Sequence, residues 1–196
     1  MSDVVIVDNG GANIASVQFA LERLGVSSLL SADAATIRAA PRVLLPGVGA
    51  AAGAMARLRS TGLDTVLREL TQPLLGICLG MQLLFESSEE GGAACLGVIP
   101  GDVRRFVTQR TVPHMGWNQL EPVAGEPLVR GIDDGEYAYF VHSYHAPVGP
   151  HTIATTRYDV PFSAAVRHRN FHGVQFHPER SAKVGARILR NFLEAT

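Results

Sequence analysis

Short apolar runs, each followed by a stretch with helical spacing, are the feature that most limits the fold of this 196-residue chain. Three such runs, at residues 4–7, 42–45 and 73–77, are mainly apolar and do not alternate with polar residues. Strands buried on both faces have this pattern, whereas half-exposed strands alternate. The segments between them place apolar residues three and four positions apart, as on one face of a helix. The pattern predicts an α/β fold with a mostly parallel central sheet and helices on both faces.

The second half of the chain has a different pattern. Short segments separated by turn residues lie near 97–99, 103–107, 117–120, 137–141, 152–156, 164–167 and 173–176. Such segments are typical of antiparallel strands, so we expect an antiparallel extension of the sheet. A last helix should bury its apolar positions, which are Val184, Ile188, Leu189, Phe192 and Leu193. The sequence contains no repeat or linker, and residues 1–196 are expected to form a single domain.

The composition excludes several classes of protein. Hydrophobic residues make up 46% of the chain and charged residues 18%, which argues against intrinsic disorder. The net charge of −1 gives no reason to expect binding to nucleic acid or anionic lipid. The most apolar stretch, residues 73–85, is interrupted by glycines and is shorter than the roughly 20 residues of a membrane span. Two cysteines are too few for a disulfide framework, and the N-terminus resembles no export signal, so we expect a cytoplasmic protein.

The segment Gly-Ile-Cys-Leu-Gly at residues 76–80 is the strongest chemical signal. It has the glycine–x–nucleophile–x–glycine pattern of a strand-to-helix turn, with cysteine as the nucleophile. A strand is predicted before it and a helix over residues 79–85 after it, and a helix N-terminus favours the thiolate. Buried cysteines are commonly inert, and Cys95, which lacks this setting, is interpreted as one of them. The context favours a catalytic role for Cys78.

A histidine and a glutamate that could assist the cysteine follow the last predicted strand, in Gln-Phe-His-Pro-Glu at residues 175–179. A thiolate nucleophile needs a base and a group that orients the base. Pro178 favours an extended His177, with the helix starting after it. Because ligands bind at the carboxyl ends of parallel strands, His177 and Glu179 should lie on the same edge as Cys78. The alternative is a partly buried imidazole beside a helix-start carboxylate.

The glycine-rich segment at residues 46–49, Pro-Gly-Val-Gly, follows the second apolar strand. Acyl transfer needs hydrogen-bond donors for an oxyanion, and the backbone N–H of Leu79 is expected to be one of them. Residues 46–49 could supply a second, because their glycines let a backbone N–H face inward or outward. The alternative is a simple turn between a strand and a helix. A phosphate-binding loop is not indicated, because no Gly-Lys-Ser/Thr follows.

Together these motifs resemble those of class I, or triad-type, glutamine amidotransferases. Longer strings resemble one group within that class, the glutaminase subunits of imidazole glycerol phosphate synthase. They are Gly-Ile-Cys-Leu-Gly-Met-Gln-Leu-Leu at 76–84, Pro-His-Met-Gly-Trp-Asn at 113–118, Tyr-Phe-Val-His-Ser-Tyr at 139–144 and Val-Gln-Phe-His-Pro-Glu at 174–179. The resemblance runs from residue 4 to residue 193, and the string at 113–118 points most specifically to this group.

The resemblance implies hydrolysis of glutamine to glutamate and ammonia. Cys78 would attack the side-chain amide and form a thioester, His177 would carry protons, and Glu179 would orient the imidazole. The N–H groups of Val48 and Leu79 would form the oxyanion hole. Four further residues match positions that bind glutamine: Gly49, Gln82, Ser143 and Tyr144.

The resemblance also implies a protein partner. The ammonia would pass to a (β/α)8-barrel cyclase subunit, HisF, which converts a phosphoribulosyl-formimino intermediate (PRFAR) to imidazole glycerol phosphate and AICAR in histidine biosynthesis. Five residues match positions at the subunit interface: Asn13, Met115, Trp117, Tyr139 and Arg180. The alternative for Trp117 and Tyr139 is an ordinary place in the core. Thioester chemistry needs no metal, and no histidine spacing resembles a zinc site, so no cofactor is expected.

Three other hypotheses fit parts of this pattern. Another triad glutaminase would share the cysteine motif, but it would not explain residues 113–118 or 139–144. A non-catalytic subunit that kept the fold would need a defect that the sequence does not show. An unrelated cysteine hydrolase is the third.

Overall fold

The computed structural model describes residues 2–10 and 14–194. Its first half alternates strands and helices, as the sequence predicts. The elements are β1 (Val4–Val7), α1 (Ile14–Glu22), β2 (Ser28–Ser31), α2 (Ala34–Ala39), β3 (Val43–Gly47), α3 (Ala51–Ser60), α4 (Leu63–Arg68), β4 (Leu74–Cys78) and α5 (Leu79–Gln82). Asn13, expected at a subunit interface, lies outside the described residues.

The second half is rich in short strands and ends in a helix. Its elements are β5 (Ser87–Ser88), β6 (Ala93–Ala94), β7 (Asp102–Arg105), β8 (His114–Gln119), β9 (Glu121–Pro122), β10 (Tyr137–His142), β11 (Tyr144–His145), β12 (Thr152–Tyr158), β13 (Val160–His168), β14 (Phe171–Val174) and α6 (Ala182–Glu194). In the described part of the chain, no helix has both the length and the apolar character needed to cross a membrane.

Eight strands form the central sheet, in the order β2-β1-β3-β4-β14-β13-β12-β9. The five strands from β2 to β14 are parallel to one another. The last three pair antiparallel and extend the sheet on one side. Strand β14, expected among the antiparallel additions, instead pairs parallel with β4 through Val174 and Ile77. This pairing brings the segment after β14 to the edge where β4 ends.

Two apolar cores lie on opposite faces of this sheet. Successive residues of a strand point to opposite faces, so Val5 and Leu45 enter one core while Ile6 and Leu44 enter the other. Helices α2, α3 and α4 cover the first face, and α1 and α6 cover the second. The predicted class, an α/β fold with helices on both faces of a mostly parallel sheet and an antiparallel extension, is confirmed.

Two expectations next to β4 are wrong, and they share one cause. The helix predicted over residues 79–85 ends at Gln82, and residues 97–99 form no strand. The carbonyl of Leu84 instead accepts hydrogen bonds from the N–H groups of Val98 and Ile99, at 3.0 and 2.9 Å. The N–H groups around residue 97 therefore bond to carbonyl groups just after α5. As a result, the helix does not continue to residue 85, and residues 97–99 do not pair as a strand.

Strands β8 and β10 form a separate antiparallel sheet of two strands, which we call the ribbon (residues 114–119 and 137–142). The sequence predicts these strands as additions to the central sheet, and that expectation is wrong. A third sheet has the strand order β11-β7-β5-β6. The ribbon places its residues 139–142 beside the end of β14, because the N–H of His177 donates to the Tyr139 carbonyl at 2.9 Å.

Candidate active site

Cys78 lies in the sharp turn between β4 and α5. Its backbone has φ 53° and ψ −111°, a conformation that residues other than glycine rarely adopt. The flanking glycines are needed for close packing: a Cβ on Gly80 would lie 1.8 Å from the Leu45 carbonyl oxygen, and one on Gly76 would lie 2.6 Å from the Gly80 carbonyl oxygen. The strand-to-helix turn expected from the cysteine motif is therefore present, with the thiol at the carboxyl edge of the sheet.

His177 and Glu179 form a buried pair on the neighbouring strand end. The imidazole Nδ1 lies 2.9 Å from the Glu179 carboxylate, whose side chain is 1% exposed. A carboxylate only accepts hydrogen bonds, so Nδ1 carries the proton and donates. The other ring nitrogen, Nε2, is buried and has no hydrogen-bond partner among the described residues. In the neutral ring this nitrogen is free to accept a proton.

The pKa of His177 reflects two opposing influences. Burial disfavours the charged imidazole and lowers the pKa, whereas Cys78 and Glu179 stabilise that charge and raise the pKa to about 10. Cys78 acts here through its proximity, since its sulfur and Nε2 are not in hydrogen-bonding geometry. Catalytic hydrogen bonds are commonly loose without substrate. The ring is thus placed to hold a proton taken from a neighbouring thiol.

A cavity of about 290 Å³ opens beside Cys78 and His177. The residues predicted for the oxyanion hole and for glutamine binding all line it: Val48, Gly49, Leu79, Gln82, Ser143 and Tyr144. Glu90, Pro113 and His142, to which the sequence analysis gave no role, line it as well. Within the described ranges, no group of three or more His, Cys, Asp or Glu side chains could hold a metal ion.

Two glutamine side chains, Gln82 and Gln175, form an amide pair behind the cysteine. The Gln82 amide nitrogen donates to the Tyr144 carbonyl at 2.9 Å and to the Gln175 side-chain oxygen at 3.0 Å. The Gln175 amide nitrogen in turn lies 3.7 Å from the Cys78 sulfur. Gln175 is fully buried, and the sequence motifs predicted no role for it. A polar residue two positions before a candidate catalytic histidine was the signal that could have identified it.

Residues 46–49 run alongside the cysteine turn. Gly47 pairs with Cys78 in the sheet, and a Cβ on Gly47 would lie 2.7 Å from the Gly80 nitrogen. Gly49 has φ 88°, and no described atom lies within 4 Å of where its Cβ would be. The buried Asn9 side chain donates to the Pro46 carbonyl at 3.3 Å. The segment is therefore fixed at its start and open at its end, where a backbone N–H can change direction.

Four of the residues matched to a subunit interface gather on one face of the ribbon. Trp117 pairs with Tyr139, and their rings meet edge to face at 5.9 Å. The Arg180 guanidinium lies 5.8 Å from the Tyr139 ring centre. Met115 is 63% exposed and Trp117 52%, so Trp117 is not an ordinary core aromatic. An exposed Met and Trp side by side are typical of a surface that binds a protein.

Comparisons with known proteins agree with this geometry. The sequence profile of the family described as "Glutamine amidotransferase class-I" matches residues 5–196. "Imidazole glycerol phosphate synthase subunit HisH" of Xanthomonas axonopodis pv. citri is 56% identical over 196 residues, with 99% of this chain and 98% of the relative covered. The protein of the same description from Yersinia pseudotuberculosis is 52% identical over 194 residues, with 98% and 99% covered.

Two solved structures share the fold. One, described as a glutamine amidotransferase, has a TM-score of 0.77 and 22% identity and covers 98% of this chain and 97% of its own. A glutamine amidotransferase from Thermotoga maritima has a TM-score of 0.63 and 18% identity, covering 97% and 82%. The family match and the sequence relatives lead to one conclusion: this chain belongs to the class I glutamine amidotransferases and, within them, to the HisH family of imidazole glycerol phosphate synthase subunits.

Proposed function

We propose that residues 1–196 form one glutamine amidotransferase domain that hydrolyses L-glutamine to glutamate and ammonia through a thioester on Cys78. The observation that carries the proposal is the arrangement of a thiol in a strained strand-to-helix turn and an imidazole on the adjacent strand, both lining one cavity. Nδ1 of the imidazole is hydrogen-bonded to a carboxylate, and Nε2 has no hydrogen-bond partner within the described chain. This is the arrangement that nucleophilic catalysis by cysteine requires.

Formation of the thioester begins with loss of the thiol proton to Nε2 of His177. The Cys78 sulfur attacks the side-chain amide carbon of glutamine, and the carbonyl oxygen becomes an oxyanion. Backbone N–H groups of Val48 and Leu79 stabilise that oxyanion. The carbon–nitrogen bond then breaks, and His177 gives its proton to the departing ammonia. Glu179 stabilises the imidazolium while it holds the proton.

Hydrolysis of the thioester repeats these proton transfers with water. His177 takes a proton from the water, whose oxygen attacks the thioester carbon. The carbon–sulfur bond breaks, the proton returns to the sulfur, and glutamate leaves. Gly49, Gln82, Ser143 and Tyr144 hold the glutamine, since each of them lines the cavity.

The ammonia serves a cyclase partner. The relatives in Xanthomonas and Yersinia are described as subunits of imidazole glycerol phosphate synthase. In this proposal the partner is the (β/α)8-barrel subunit HisF, which converts PRFAR to imidazole glycerol phosphate and AICAR in the cytoplasm. Met115, Trp117, Tyr139 and Arg180 contact it, because they form an exposed apolar and cationic patch beside the active site. Asn13 matches a position at the subunit interface in the resembled family.

Replacement of the nucleophile tests the proposal. Cys78→Ala should lower glutamine-dependent synthesis of imidazole glycerol phosphate by the complex at least about 1,000-fold. Synthesis from added ammonium should remain, because the cyclase site is on the partner. Product formation is measured with each nitrogen source, and survival of the glutamine-dependent rate would contradict the assignment.

Cys95→Ala is the matched control. It removes the other buried thiol, which donates to the Ala93 carbonyl, and should leave glutamine-dependent turnover intact. An electrophilic glutamine analogue, 6-diazo-5-oxo-norleucine, should label Cys78 in the wild-type protein. Mass-spectrometric detection of the label on Cys95 would refute the assignment of the nucleophile.

A further inference from the structure

A buried chain of hydrogen bonds joins the ribbon to the catalytic cysteine. The Asn118 amide nitrogen lies 3.2 Å from Nε2 of His114, and Nδ1 of His114 lies 3.1 Å from Nε2 of His142. Nδ1 of His142 lies 2.7 Å from the Tyr144 carbonyl. That carbonyl also accepts from the amide pair, which continues to the Cys78 sulfur.

Both ends of this chain determine where the histidine protons sit. The Tyr144 carbonyl only accepts, so Nδ1 of His142 carries a proton, and in the neutral ring Nε2 accepts from His114. At the other end, the Asn118 side-chain oxygen already accepts from the Gln119 N–H at 2.9 Å, so the amide nitrogen faces His114 and donates. Each of the two rings is therefore an Nδ1–H tautomer.

The surroundings keep both rings neutral. His114 and His142 are 3% and 6% exposed and pack among aromatic rings, with His114 stacked on Tyr158 at 4.2 Å and on Phe140 at 5.1 Å. His142 meets Phe162 edge to face at 5.1 Å. Burial lowers the pKa of His114 to about 4 and that of His142 to about 3. Protonation would place two N–H groups against each other and break the chain of hydrogen bonds.

We infer that His114 and His142 are positioning residues for glutamine: as neutral Nδ1–H tautomers they hold the Tyr144 carbonyl, and the carbonyl holds the Gln82 side chain against the cavity. The inference rests on the proposed glutaminase function. It assigns a role to His142, which lines the cavity, and to His114 behind it, and neither exchanges protons with the substrate. It also explains why two histidines occupy an aromatic core, where an apolar side chain would cost less desolvation.

Two substitutions at His142 separate positioning from packing. His142→Phe keeps an aromatic ring but removes the donor to Tyr144, so the KM for glutamine should rise about ten-fold or more. His142→Asn retains a donor near the position of Nδ1 and should recover part of that loss. In both variants, the rate of Cys78 alkylation by iodoacetamide should stay near wild type, because the thiol and His177 are untouched.

His145→Phe is the matched control. His145 is buried beside the same rings, stacked on Phe106 at 4.4 Å, but it does not belong to the chain of hydrogen bonds. This variant should keep the wild-type KM. Glutamine hydrolysis is measured on the complex with the cyclase partner. A wild-type KM in His142→Phe, or an equal rise in His145→Phe, would overturn the inference.

Nitrogen-15 NMR of histidine-labelled wild-type protein tests the tautomers without any assay of activity. His114 and His142 should each show a protonated Nδ1 and a deprotonated Nε2 at pH 7. An imidazolium or an Nε2–H tautomer at either residue would refute the inference, even if His142→Phe fails to fold. Wild-type protein that hydrolyses no glutamine would contradict the proposed function alone, since the tautomer result stands apart from it.

Discussion

The surroundings of the two cysteines show how single residues acquire different chemistry here. Cys95 is 4% exposed, and burial raises the pKa of its thiol to about 11, so it stays protonated at neutral pH. Cys78 is also buried, but it shares a cavity with His177 and lies near the Gln175 amide. Burial alone therefore does not distinguish a nucleophile from an inert thiol. The adjacent imidazole and the polar contacts are what set Cys78 apart from Cys95.

Glu179→Gln tests how much the carboxylate contributes to the imidazole. The variant keeps the side-chain shape but removes the charge that helps to raise the pKa of His177. An amide can also turn its nitrogen towards Nδ1 and favour the wrong tautomer. The kcat for glutamine hydrolysis should fall about 100-fold or more, with a smaller change in KM.

Glu126→Gln is the control for that change. Glu126 forms an ion pair with Arg167 at 2.8 Å, away from the cavity, so the same substitution there should leave kcat unchanged. A Glu179→Gln variant with near wild-type kcat would show that the carboxylate does not orient the base.

Close packing of helix α5 determines where the cysteine turn lies. Adding a single methyl group at Gly80 tests this packing. A Cβ on Gly80 would lie 1.8 Å from the Leu45 carbonyl oxygen, so Gly80→Ala must displace α5 or β3. We expect a loss of stability of about 2–4 kcal/mol, in the range of severe overpacking. The free energy of unfolding is measured by urea denaturation.

Gly53→Ala makes the same change in helix α3. There the added Cβ would lie 3.6 Å from an Arg57 guanidinium nitrogen, an ordinary contact. Alanine favours helix more than glycine does, so this variant should gain about 0.5–1 kcal/mol. Equal effects of the two substitutions would show that the packing of α5 does not constrain residue 80.

Regular elements were predictable where local pattern and tertiary structure agree. The unbroken apolar run of β1 is buried at every position, and the apolar residues of α6, spaced three and four apart, are buried on one face of the helix. In both elements the sequence pattern alone predicts which side chains are buried. Residues 97–99 were wrongly predicted as a strand, since their N–H groups bond to carbonyls beyond α5, a contact that no local pattern contains. Cys78, His177 and Glu179 were predictable as candidate site residues from short motifs. The His114–His142 pair was not, because its role depends on which neighbours the fold supplies.

The sheet as a whole joins the two halves of the chain at the active site. Strand β14 comes from the second half yet pairs parallel with β4 of the first half, which places Cys78 and His177 on adjacent strand ends. The ribbon is fixed to the same place, because the Tyr139 N–H donates to the Ser181 hydroxyl and that hydroxyl donates to the His177 carbonyl. A partner that binds the ribbon would thus bind a surface that hydrogen bonds join to the segment carrying His177.

Buried histidines also make the stability of the whole molecule depend on pH. Burial lowers the pKa of His114 and of His172 to about 4, and that of His142 to about 3. An unfolded histidine has a pKa near 6.5, so below that pH the unfolded chain binds protons that the folded chain excludes. The contribution of these three histidines to stability is therefore fully present above pH 6.5, and it is lost as the pH falls towards 4. His177, whose pKa is raised, acts in the opposite sense: its contribution is present below pH 6.5 and lost as the pH rises towards 10.

His172→Gln isolates one of these contributions away from the cavity. His172 is buried on β14, with its ring 6.0 Å from that of Phe192, and its Nδ1 lacks a partner within the described chain. Glutamine does not titrate, so the loss of unfolding free energy between pH 7 and pH 5 should be about 2 kcal/mol smaller in the variant. Urea denaturation at both pH values measures this difference. Carboxylates contribute equally to the pH dependence of stability in the wild type and the variant, so they cancel in this comparison. Parallel pH profiles would contradict the prediction, because they would mean that His172 has the same pKa in the folded and unfolded chains.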